Sequence, residues 1–250
     1  MTFVRSETID NIRVLTLDRP ESLNATSMAV VMELDERLSE AENDEQVGCI
    51  VLTGAGEKAF SAGLDIRELT SADVATQAVM SAQRKAATWH WATSAVPTIA
   101  AVNGLCYGNG AILAVCSDLR VGGPKTAMKI TAAAYGGANL TWNLQEIVGW
   151  AHAKDLLFTA RVVGGEEAHR MGLLNRYAED GDVLGEAMRL AAAVAATPRS
   201  GVRKVKQLIQ ESLGRDLEAR WDREQGLELD SIVAGQTLGV FDKFTRSHAK

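Results

Sequence analysis

Aromatic residues make up only 5% of the chain, cysteines number three, and positive charge is in deficit, with 26 Lys and Arg against 32 Asp and Glu. Each shortage excludes something. Cys49, Cys106 and Cys116 are odd in number and match no metal-ligand spacing. A disulfide framework is therefore excluded, no metal is expected, and a reducing cytoplasm is the expected compartment. A net charge of −6 argues against a nucleic-acid partner, which calls for a basic face or stripe. Arg5, Glu7, Asp10 and Arg13 interrupt the N-terminus, leaving no apolar segment of signal-peptide type. The stretch 91–117 carries no charge, yet Pro97, Asn103, Gly104, Gly108, Asn109 and Gly110 break it. A membrane span needs roughly 20 mostly apolar residues in succession. A buried strand, a glycine turn and a buried helix fit this stretch, and a soluble protein is expected.

What is present suffices for a core. A chain of 250 residues that is 46% hydrophobic needs no disulfide or metal staple. Residues 2–9 and 12–17 alternate around Asp10-Asn11, which predicts a hairpin. Val30, Val31, Leu34, Leu38 and Ala41 recur at helical spacing within 27–43. Buried strands are predicted at 47–53 and 98–102, a long helix at 73–95, an apolar helix at 110–116, and weaker strands at 119–121 and 128–131. Strands separated by helices predict an α/β core, residues 1–196, with a largely parallel sheet. From residue 197 to 250 the pattern turns helical, over 199–213, 216–233 and 237–247, which predicts a C-terminal helical module.

Two segments concentrate the unusual residues. Phe60-Ser61-Ala62-Gly63-Leu64-Asp65-Ile66 follows the strand at 47–53, and Asn103 to Gly110 follows the strand at 98–102. Each is a glycine turn beyond the C-terminal end of a buried strand, where open α/β sheets place ligands. Exposed amides at a following helix start attract developing negative charge, and two such turns side by side would form an oxyanion hole. Ordinary strand-to-helix turns would look the same. Neither segment is a phosphate loop or a dinucleotide fingerprint.

Arg19-Pro20-Glu21 with Asn24-Ala25, then Phe60 to Asp65, then Ala100-Ala101-Val102-Asn103-Gly104, together resemble the crotonase (enoyl-CoA hydratase/isomerase) superfamily. Cys116 to Val121, Val148-Gly149, residues 159–174 and Lys206 continue the resemblance, so that it spans essentially the whole chain. It implies a spiral ββα core with a C-terminal trimerisation module, in a homotrimer or hexamer. It also implies an acyl-CoA or enoyl-CoA thioester, with coenzyme A as part of the substrate and no permanently bound cofactor. The thioester oxygen would be held by the backbone amides of Leu64 and Asn109. Ser22, Leu23, Asn24 and Ala25, with Ala62, Gly63, Asp65, Ile66 and Gly108, would contact the CoA portion.

The departures from the family pattern matter more than the matches. The family triplet Gly-Gly-Gly is Gly108-Asn109-Gly110 here, and Asn tolerates a left-handed backbone better than other non-glycine residues. The two glutamates that serve hydration in the family are missing. Ile112 occupies the first position, and Lys129 or Ala132, depending on the direction of alignment, occupies the second. No Asp or Glu occurs between Leu119 and Gln145, and isoleucine accepts no proton, so isomerisation or another enolate-based reaction is favoured over hydration. Tyr135 and Asn139 remain as candidate catalytic groups, with packing as their alternative. Lys129 and Cys106 are further candidates, against a solvated lysine and an inert buried thiol. His90 is a candidate against a packing role, and Asp65 and Asp118 read as structural. Trp89, Trp91 and Trp142 are candidate walls for the acyl group, with core filling as their alternative. Three functions stay open: an acyl-CoA-processing enzyme, an acyl-CoA-binding protein that has lost the chemistry, and a structural subunit.

Overall fold

The computed structural model describes residues 2–212 together with 218, 219, 221, 222 and 226. The chain opens with the antiparallel hairpin β1 (Val4–Ile9) and β2 (Ile12–Leu17), turned at Asp10 with φ of 52°. Helix α1 (Met28–Asn43) follows, its first turn capped by Ser27 Oγ accepting from the Val30 amide. Thereafter the chain repeats one unit. A strand of a large sheet leads into a short strand of a second sheet, and a helix or turn returns the chain. The units are β3 (Cys49–Gly54), β4 (Ala59–Ser61), α2 (Ile66–Ser71) and α3 (Val74–Thr93); then β5 (Thr98–Val102), β6 (Leu105–Tyr107) and α4 (Asn109–Cys116); then β7 (Leu119–Gly122), β8 (Ala127–Lys129) and the 3-10 turn Ala132–Tyr135. The remaining elements are α5 (Leu144–Thr159), β9 (Val163–Gly164), α6 (Gly165–Arg170), β10 (Arg176–Tyr177), α7 (Val183–Ala195) and α8 (Arg199–Ser212).

The large sheet runs β1-β2-β3-β5-β7-β10, parallel beyond the first hairpin, and the small sheet runs β4-β6-β8-β9. Alternation along the central strands explains why the large sheet is covered on both faces. Ile50, Leu52, Ala100 and Val102 point into a core with α1, α3 and α4, whereas Val51, Ile99, Ala101 and Val121 meet Val183, Ala187 and Ala191 of α7. All six residues of β3 are buried, and each buried Val, Leu or Ile there contributes about 1.5–3 kcal/mol.

Helix α8 is tied to this core by Lys206, whose buried Nζ donates to Asp118 Oδ2 at 2.6 Å and to the Val96 carbonyl. Asp118 also accepts from the Thr98 amide and hydroxyl, so it joins β5, β7 and α8. The helices expected at 216–233 and 237–247 lie outside the described residues. No described helix is long and apolar enough to cross a membrane, and no His, Cys, Asp or Glu cluster among the described residues could hold a metal ion.

Candidate active site

The two glycine turns meet. A methyl group placed on Gly63, where φ is +102°, would sit 2.9 Å from the Tyr107 carbonyl oxygen and 3.3 Å from the Asn109 nitrogen. One placed on Gly110 would lie 2.6 Å from the Ser61 carbonyl oxygen. Only bare backbone allows this approach. Beside the turns lies a cavity of about 1120 Å³, to which Leu64, Asn109, Ile112, Tyr135 and Trp142 all contribute. The Leu64 and Asn109 amides donate to no group among the described residues. Asn109 opens α4, where the first N–H groups have no intrahelical acceptor.

Asn109 does not need the left-handed backbone anticipated for it. Positive φ falls instead on Gly108, at 51°, and Asn109 is already helical. Its side chain donates from Nδ2 to Thr26 Oγ1 at 3.0 Å. Thr26 in turn donates from Oγ1 to the Gly63 carbonyl at 3.1 Å, and its backbone amide reaches the same oxygen at 2.7 Å. Thr26 is 2% exposed. No sequence signal marks it, because its partners lie 37 and 83 residues away.

The loop before α1 supplies Ser22, Leu23 and Ala25 to the cavity wall, but not Asn24. Asn24 Oδ1 accepts from the Arg19 amide, and its Nδ2 donates to the Ala55 and Ala59 carbonyls at 3.0 and 2.8 Å. Its buried side chain thus clamps the loop onto β4 and is kept off the cavity. Ala62, Gly63, Asp65, Ile66 and Gly108 do line the cavity. Asp65 caps α2 by accepting from the Glu68 amide and pairs with Arg19 Nη1 at 3.0 Å.

Of the two positions read for the second family glutamate, Ala132 lies on the cavity wall and Lys129 does not. The Lys129 backbone instead holds the turn, its carbonyl accepting from the Gly108 amide. The carboxylates that do line the cavity are Glu21, Asp65 and Glu68. Asp65 and Glu68 are engaged in capping, Glu68 Oε2 accepting from the Met28 amide at 2.8 Å. None belongs to the segment carrying Ile112 or to residues 131–139. Arg19, Arg67, Arg84 and Lys85 bring positive charge to the same cavity.

Trp142 and Trp221 form part of the wall, whereas Trp89 stands behind them, outside the lining. The three rings pack with centroids 5.4–6.0 Å apart. Trp221 was invisible as a site residue because it belongs to the C-terminal quarter, read only as a helical module. Thr131 was likewise missed and lines the cavity close to Gly108.

Two other candidates are placed elsewhere. Cys106 is fully buried, and burial pushes its thiol far above the ordinary range; it is a packing residue. His90 joins α3 to α1, with Nδ1 2.8 Å from Asp35 and Nε2 2.9 Å from Glu42. Burial by itself would lower its pKa, but the hydrogen bonds with Glu42 and Asp35 outweigh this and raise it.

Fold and site together define an α/β protein with a ligand cavity at two converging amide-bearing turns. A family model described as enoyl-CoA hydratase/isomerase matches residues 7–235. The chain belongs to the enoyl-CoA hydratase/isomerase family, and its fold is the crotonase fold. It is 32% identical over 239 residues to the short-chain-enoyl-CoA hydratase of Clostridium acetobutylicum, covering 93% of this chain and 88% of that protein. It is 30% identical over 230 residues to the crotonyl-CoA hydratase of Syntrophomonas wolfei, covering 89% and 85%. The crystal structure of an enoyl-CoA hydratase/isomerase from Mycobacterium paratuberculosis superposes with a TM-score of 0.88 at 25% identity, covering 97% of this chain and 98% of that one.

Proposed function

We propose that this chain acts on an acyl- or enoyl-CoA thioester, polarising the thioester carbonyl with the Leu64 and Asn109 amides and stabilising an enolate. The observation that carries this reading is the pair of undonated amides on two touching turns beside a large cavity. Donors already aimed at the place where charge develops need no reorganisation during reaction. Arg19, Arg67, Arg84 and Lys85 on the cavity supply the positive charge that the phosphates of CoA require. The acyl group lies against Ile112, Leu140 and Trp142, where apolar contact favours its desolvation.

Isomerisation or another enolate-based reaction is favoured over hydration. Two-carboxylate hydration needs a base and an acid at the reacting carbons, and the wall there carries Ile112, Thr131 and Ala132. Tyr135 and Asn139 are the remaining polar candidates on that wall. The same lack of carboxylates supports a second reading, an acyl-CoA-binding protein without turnover. We also propose assembly into a homotrimer or hexamer, which light scattering reads directly as mass.

Incubation with crotonyl-CoA and longer enoyl-CoAs, followed by absorbance and product analysis, separates the readings. Double-bond migration or another enolate-derived product supports the enzyme. Micromolar binding without turnover supports the binding protein. Rapid hydration would overturn the preference for isomerisation, and absence of any thioester binding would sink both readings.

A further inference from the structure

We propose that Thr26 is a positioning residue whose single hydroxyl aims both oxyanion amides; this rests on the oxyanion reading above. The peptide unit joining Gly63 to Leu64 is planar, so its C=O and N–H point in opposite directions. The Gly63 oxygen accepts from the Thr26 amide at 2.7 Å and from Thr26 Oγ1 at 3.1 Å. Held from that side by two donors, the plane must present the Leu64 N–H on the other. It cannot rotate without losing both bonds.

The same oxygen of Thr26 governs the second turn. An Asn Nδ2 can only donate, so the Asn109 bond occupies a lone pair of Thr26 Oγ1 and leaves its proton for Gly63. Thr26 and Asn109 are 2% and 9% exposed, and little water competes for these bonds. The resulting series runs from Asn109 Nδ2–H through Thr26 O–H to the Gly63 carbonyl, and across that peptide to the Leu64 N–H. Hydrogen bonds in series polarise one another, by about 10–30% per bond, so the Leu64 N–H becomes a stronger donor. A glycine at position 109 would have no side chain with which to complete the link. The substitution in the triplet therefore braces the hole and does not block it.

The test uses the purified full chain and two probes. Butyryl-CoA reports ground-state thioester binding, and acetoacetyl-CoA reports enolate stabilisation, because its enolate absorbs in the ultraviolet and its bound enolisation pKa can be titrated. Quenching of tryptophan fluorescence, with Trp142 and Trp221 on the cavity, gives the binding constants. The wild-type chain is expected to lower the enolisation pKa of bound acetoacetyl-CoA below that of the free ligand. Thr26→Val keeps the backbone bond to Gly63 and removes the hydroxyl. It is expected to raise the bound ligand's pKa by about one unit, a tenfold loss of enolate preference. Butyryl-CoA affinity should stay within about threefold, and Thr26→Ser should restore the wild-type value. Asn109→Ala, which leaves Thr26 in place, should shift the pKa in the same direction and add little in the double variant; it also serves if Thr26→Val fails to fold. A folded Thr26→Val variant with the wild-type enolisation pKa overturns the proposal. So does equal loss of both ligands that Thr26→Ser does not rescue. If the wild-type chain binds neither thioester, or binds acetoacetyl-CoA without lowering its pKa, the oxyanion reading itself falls and the positioning role with it.

Discussion

The cavity has two walls that treat their polar groups differently. The wall of residues 61–65 and 107–110 is tied by long-range bonds: Ser61 Oγ to the Asn24 carbonyl, the Ala62 amide to the Leu23 carbonyl, and Asn109 to Thr26; behind it, Asn24 is bonded to Ala55 and Ala59. The Leu64 and Asn109 amides of this wall donate to no group among the described residues. In the wall of residues 131–142, the Ala134, Gly136 and Gly137 amides donate within their own turn, to the Thr131, Ala133 and Ala132 carbonyls. Residues 133–136 are exposed, and Asn139 Oδ1 is buried with no hydrogen-bond partner among the described residues. Backbone anchored by distant partners suits the proposed task, which does not vary: stabilising negative charge on oxygen. A locally bonded segment can change its side chains without disturbing the first wall. Reaction type is expected to reside there.

The largest effect should come from placing two carboxylates on the cavity, one on α4 and one on the second wall. Ile112→Glu combined with Ala132→Glu is expected to raise hydration of crotonyl-CoA by about 10²-fold or more, the contribution of positioned acid–base groups. Loss of enoyl absorbance measures it. Lys129→Glu should give no such gain, since Lys129 is off the cavity; a gain there would break the assignment of walls. Next comes the first wall. Asn109→Pro deletes one amide at a helix position that accepts proline, and is expected to lower enolate-dependent turnover by about 10²–10³-fold with the fold retained. Unchanged turnover would remove Asn109 from the hole.

Stability separates the walls more gently. Asn24→Ala leaves the Ala55 and Ala59 carbonyls and the Arg19 amide without partners, and should cost about 3 kcal/mol in urea unfolding. Asn139→Ala should change stability by under about 0.5 kcal/mol, because its carbonyl satisfies nothing. Equal costs would erase the contrast. The smallest effect lies away from both walls, at His90. Its folded pKa is raised, so its pairing with Asp35 and Glu42 contributes fully below the ordinary histidine value of about 6.5. That contribution is lost as pH rises through the folded value. The melting-temperature gap between wild type and His90→Asn should therefore shrink as pH increases; a widening gap would refute the pairing.

The central strands were legible because burial on both faces demands continuous β-branched runs. The helices α1 and α3 were legible because Ser27 and Asp73 cap clear apolar stripes. Of the second sheet, only β8 was foreshadowed, by the strand expected at 128–131. Strands β4 and β6 have three residues each and lie inside the glycine turns, too short for any period to register. Helix α5 escaped as well, since it is interrupted by Gly149 at φ +75°.

The amino-acid order by itself determined the family motifs, the two amide-bearing turns and the missing carboxylates, because these are matters of residue identity and local backbone preference. Only the tertiary structure decided that Ala132 and not Lys129 reaches the cavity, that Asn24 turns inward, and that Trp221 joins the wall. It alone brought Thr26 between Gly63 and Asn109. The reason is physical: where a side chain points, and which residue across 83 positions receives it, follows from packing of distant elements, on which local spacing carries no information.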